Sequence, residues 1–68
     1  MKKILLLGAS GNIAPYIVPM LEKTYDFQLT DVSPYPDGRE IGHVDVTDYD
    51  QVLEAARGVD AIMNFTVI

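Results

Sequence analysis

A chain of 68 residues has room for one domain, and a domain of that size buries only about 60% of the surface its unfolded chain exposes, so its core is marginal. Ten acidic residues against five basic ones give a net charge of -5, which argues against nucleic acid or an anionic membrane as the main partner, since either calls for a basic face. Lys2, Lys3, Lys23, Arg39 and Arg57 are dispersed along the chain, and the absence of cysteine removes disulfides, thiolate metal sites and cysteine nucleophiles.

Lys3 to Leu7 is a short apolar run that stops at Gly8, and its length and flanking glycine predict a buried strand. The run is too short for a secretory signal, and no stretch approaches the roughly 20 apolar residues of a membrane span. The chain is therefore expected to be soluble and cytoplasmic. From Asn12 to about Lys23, Ile13, Ile17, Met20 and Leu21 fall on one helical face. Pro15 lies near the first turn, where a missing N–H matters least, whereas Pro19 in the interior predicts a kink or a loosened turn.

Phe27 and Leu29 alternate with polar neighbours up to Asp31, a second strand. Pro34, Pro36 and Asp37-Gly38 mark residues 32–42 as a loop. A very short third strand is expected around His43 to Val46. Thr47 is placed to cap a second helix, with Asp50 in the capping-box position. Tyr49, Val52, Leu53 and Ala56 give it an apolar face, and Gly58 a left-handed end. Val59 to Ile68 reads as a fourth strand. This order, β-α-β-β-α-β, predicts parallel pairing with right-handed crossovers: an α/β doubly wound sheet in the strand order 3-2-1-4.

Gly8, Gly11 and Ala14 form a G-x-x-G-x-x-A spacing between the first strand and helix. Gly8 allows a tight turn, Gly11 lets a diphosphate approach the backbone, and Ala14 lets the helix lie near the sheet. Free N–H groups at a helix N-terminus can hold phosphates without a basic side chain. The same spacing also suits a purely structural turn. Asp31 ends the second strand, 23 residues after Gly8, where a carboxylate can accept hydrogen bonds from an adenosine ribose and repel a 2′-phosphate. Its alternative role is to cap the turn Asp31-Val32-Ser33-Pro34. Arg39 keeps an NADP reading open. His43 has no partner at metal-ligand spacing, and Asp45, Asp48 and Asp50 read as a helix N-terminal charge cluster.

The stretches KKILLLGASGNIA, LTD, HVDVTD and GVDAIMNFTVI, in this order, resemble the N-terminal part of the extended short-chain dehydrogenase/reductase family, the NAD-dependent epimerases and dehydratases. The resemblance implies the N-terminal half of a Rossmann-type fold and NAD, rather than NADP, as cofactor. It implies that Gly8, Ser10, Gly11, Asn12 and Ile13 surround the pyrophosphate, that Asp31 binds the ribose, and that Asp45 and Val46 flank adenine. Phe65, Thr66 and Val67 match the segment that closes strand four beside the cofactor, although Thr66 and Val67 are larger than the family's residues there. Ala14 replaces the commoner third glycine.

The family's Tyr-x-x-x-Lys pair is not found here, because none of Tyr16, Tyr25, Tyr35 and Tyr49 is followed by lysine four positions on. Catalytic residues are accordingly expected beyond Ile68, in a longer parent of which residues 1–68 form a partial NAD(P)-binding domain. That parent would act on a nucleotide-sugar or related small molecule. An NAD(P)-sensing regulatory protein without catalysis, or a small interaction module with a structural glycine turn, would carry the same stretches. Strand four would be an open apolar edge, so the chain by itself is expected to be marginally stable or to form a homo-oligomer, and to bind NAD weakly.

Overall fold

The computed structural model describes residues 1–66. Four parallel strands, β1 (Lys3–Leu7), β2 (Asp26–Asp31), β3 (Gly42–His43) and β4 (Ala61–Asn64), form one sheet in the order β3-β2-β1-β4. Two helices, α1 (Ala14–Leu21) and α2 (Tyr49–Ala55), make the crossovers. This is the 3-2-1-4 arrangement expected from the sequence. No helix among the described residues is long and apolar enough to cross a membrane.

The apolar run of β1 reflects its central place, paired with β2 on one side and β4 on the other. A strand covered on both faces has no use for alternation. Leu6 faces a core completed by Ala9, Ala14, Val18, Leu29 and Tyr35. Leu5 and Leu7 face the opposite way, toward Val44, Val52, Ala55, Ala56 and Val59. One helix thus serves each face. The single buried polar side chain among the described residues, Thr30, donates its hydroxyl to the Leu6 carbonyl at 2.8 Å.

Several boundaries and faces differ from the sequence-based expectation. Helix α1 starts at Ala14 rather than Asn12, and it buries Ala14 and Val18 while Ile13 and Met20 stay exposed. The small side chain of Ala14 brings the helix close to the sheet, which turns the flanking large residues outward. Pro15 falls in the first turn; Pro19 lies inside the helix, which ends two residues later. The loop after β2 contributes a core residue that its turn-rich sequence did not suggest, the buried Tyr35.

Strand β3 has only two residues, because Asp45 draws the chain out of the sheet: its Oδ1 accepts from both the N–H and the hydroxyl of Thr47. For the same reason Thr47 is not the cap of α2. Asp48 is, accepting from the N–H groups of Asp50 and Gln51. Helix α2 packs through Val52, Ala55 and Ala56, whereas Tyr49 and Leu53 are exposed. Gly58, at φ +74°, does take the left-handed conformation just past its end. Strand β4 is shorter than the expected Val59 to Ile68, ending where the Asn64 side chain accepts from the Thr66 N–H and hydroxyl. Val67 and Ile68 lie outside the described residues.

Candidate functional site

In a doubly wound sheet, ligands bind beyond the carboxyl ends of the strands, where the strand order reverses. Here β1 and its neighbours β2 and β4 end around a cleft of about 400 Å³, within the size range of small-molecule sites. The cleft is lined by Gly8, Gly11, Asn12, Ile13, Asp31, Asp45, Val46, Phe65 and Thr66, together with Val32 and Val44. Nine residues singled out in the sequence thus meet at one place. Ser10 does not line it, and Val67 lies outside the described residues.

The floor is built by Gly8. It has φ +80°, and a Cβ there would come within 2.8 Å of the Phe65 carbonyl carbon and the Thr66 nitrogen. The sequence explains the positive φ, but the close approach of the chain leaving β4 is visible only in the structure. The Gly8 and Ala9 N–H groups both donate to the Thr30 carbonyl, at 3.1 and 2.9 Å, and the Gly11 N–H donates to the Gly8 carbonyl at 3.2 Å. The first donors of the glycine turn are therefore spent on protein, two tying it to β2 and one closing the turn.

The donors left over come next in the chain. Among the described residues, the N–H groups of Asn12 and Ile13 meet no protein acceptor. Ile13 is the N-cap of α1 yet supplies no side-chain cap, and the first turn carries no acid. This end of the cleft combines unpaired backbone donors with the partial positive charge of a helix N-terminus, about half an elementary charge.

The opposite end is built from acceptors. Asp31 is half-buried at the end of β2; its Oδ2 accepts from the Ser10 N–H at 2.9 Å and its Oδ1 from the Val32 N–H at 2.6 Å. A carboxylate offers about four acceptor positions, so two remain for a ligand. Within its own turn Asp31 accepts only from the next N–H, that of Val32, rather than from the N–H two residues on that a capping aspartate takes. Asp45 sits across the cleft on the chain leaving β3, and the hydroxyl and N–H of Thr47, with some help from His43, hold its carboxyl below the usual carboxylate value. Val32, Val44 and Val46 supply apolar surface beside these acids. Val32 and Val44 were missed in the sequence, although each lies within one residue of a strand's carboxyl end, the signal that could have found them.

Arg39 does not reach the cleft. Its Nε pairs with Asp37 at 2.8 Å, its Nη1 with Glu22 at 3.4 Å, and its guanidinium lies 5.1 Å from the centre of the Tyr35 ring. Among the described residues, no lysine or arginine lines the cleft. Asp48 and Asp50 are taken up by α2, as its cap and in its first turn. Among the described residues, no group of three His, Cys, Asp or Glu side chains could hold a metal ion.

No protein-family model matches the chain, and no curated protein matches it either. Two solved structures are similar to it. The protein lin1944 from Listeria innocua has 29% sequence identity and a TM-score of 0.73, over 97% of this chain and 32% of its own. A Rossmann-fold NAD(P)-binding family protein from Shigella flexneri has 27% identity and a TM-score of 0.71, over 100% of this chain and 39% of its own. The chain thus spans well under half the length of either structure. Strand order, parallel crossovers and these likenesses agree that the chain adopts a Rossmann-type, doubly wound α/β fold.

Proposed function

We propose that the chain is the dinucleotide-holding part of an NAD-dependent enzyme of the extended short-chain dehydrogenase/reductase type, an epimerase, dehydratase or reductase acting on a nucleotide-sugar or related small molecule. The observation that carries this reading is the division of one cleft into a donor end and an acceptor end. The free N–H groups of Asn12 and Ile13 suit a pyrophosphate. The spare acceptor positions of Asp31 suit the two hydroxyls of a ribose, and Asp45 with Val46 suits the edge and face of an adenine ring. The likeness to a Rossmann-fold NAD(P)-binding family protein supports the same ligand class.

NAD is favoured over NADP for an electrostatic reason. A 2′-phosphate would lie against the Asp31 carboxylate, and Arg39, the loop cation that kept an NADP reading open, is committed to Asp37 and Glu22. Bound nicotinamide would supply hydride transfer; this chain's residues bind and orient the adenosine diphosphate portion. In this reading the groups that exchange protons with substrate belong to sequence beyond Ile68.

Titration of the chain with NAD and NADP tests the proposal. NAD is expected to bind more tightly, and Asp31→Ala to weaken NAD roughly 10- to 100-fold, the value of hydrogen bonds to a charged acceptor. Tighter binding of NADP, or unchanged NAD affinity in Asp31→Ala, would contradict it.

A further inference from the structure

Ser10 stands apart from the other residues of the glycine turn. It does not line the cleft, and it makes two bonds, one to the last residue of β2 and one to the loop that follows. Its N–H donates to Asp31 Oδ2 at 2.9 Å and its hydroxyl donates to the Ser33 carbonyl at 2.8 Å. The two bonds join separate stretches of chain, 21 and 23 residues apart in sequence. One stretch leads within three residues to the free donors of Asn12 and Ile13. The other carries the Asp31 acceptor.

We propose that Ser10 is a positioning residue that couples the donor end of the cleft to its acceptor end. The inference rests on the dinucleotide reading and deepens it. The Ser10 hydroxyl holds the loop after Asp31 against the glycine turn, so the two ends keep a fixed separation before any ligand arrives. A ligand that touches both ends then binds without ordering one relative to the other, the advantage of preorganisation. A ligand that touches one end gains nothing from the tie. Ser10 thus acts on the ribose and pyrophosphate groups through the spacing between them.

The test compares ADP, which spans both ends, with adenosine, which reaches the acceptor end only, by titrating each into the isotope-labelled chain and following amide shifts. Ser10→Ala keeps the backbone bond to Asp31 and removes the bond to Ser33. It is expected to weaken ADP about fivefold, the value of one neutral hydrogen bond, and adenosine less than twofold. Ser10→Thr, which restores a hydroxyl, is expected to return the ADP-to-adenosine ratio to that of the unaltered chain. Equal weakening of both ligands, no weakening of either, or loss of the fold in Ser10→Ala would overturn the coupling role. If neither ligand binds the unaltered chain, the dinucleotide reading itself fails, and the coupling role with it.

Discussion

The two helices occupy equivalent places in the fold, each crossing between strands, yet their N-termini are finished in opposite ways. At α2 the protein satisfies its own helix: Asp48 accepts from the Asp50 and Gln51 N–H groups, and Asp50 adds negative charge to the first turn. At α1 there is no side-chain cap and no acid, and the N–H groups of Asn12 and Ile13, which line the cleft, meet no acceptor among the described residues. An unfinished helix end costs stability that a cap would restore. One terminus is closed by the protein's own side chains, the other opens on the cleft.

The contrast depends most heavily on Gly8, which shapes the turn before α1. Gly8→Ala adds a Cβ in a positive-φ conformation and within 2.8 Å of the chain leaving β4, and it is expected to destabilise the fold by roughly 2–5 kcal/mol. For a domain this small that change unfolds much of the population, which chemical denaturation would register as loss of the folded baseline. A Gly58→Ala control also has positive φ but meets nothing nearby, so its smaller cost isolates the contribution of close packing.

A second variant makes α1 resemble α2. Ile13→Asp places a capping carboxylate at the exposed N-cap of α1. It is expected to raise stability by as much as about 1 kcal/mol while weakening NAD about tenfold or more through repulsion of the pyrophosphate. Opposite signs for the two effects are the signature of an end reserved for an anion. The smallest effect comes from the reverse change at α2. Asp48→Ala is expected to cost about 1 kcal/mol and to leave NAD affinity unchanged, read from thermal melting alongside the same titration.

Much of this arrangement is legible in the sequence, for identifiable reasons. The run of leucines in β1, the glycine turn and the acid closing β2 each follow from local constraints on a central strand, a tight turn and a strand end. Their order is enough to give the sheet topology. What the sequence obscures is competition among neighbouring side chains. Thr47 is an acceptable cap, but its hydroxyl goes to Asp45, and Asp48 takes the helix instead. Ile13 and Met20 fit an apolar face, but Ala14 and Val18 set how the helix sits. Tyr35 hides in a turn-rich loop because it joins a core that also draws on Leu6, Ala9, Ala14 and Val18, distant in sequence. The cleft shows the same limit: its residues could be named one at a time, whereas its division into donor and acceptor ends emerges only once Gly8 and Ala9 are seen to spend their N–H groups on Thr30 and Gly11 its own on Gly8.

The most direct test of the uncapped helix end is to follow each backbone amide by nuclear magnetic resonance as NAD is added at millimolar concentration. Binding of a pyrophosphate at this end predicts the largest shifts at Asn12 and Ile13, accompanying changes at Val32 beside the Asp31 carboxylate, and none at Asp50 and Gln51, whose N–H groups are held by Asp48. Shifts absent from Asn12 and Ile13, or as large at the capped end of α2, would contradict it.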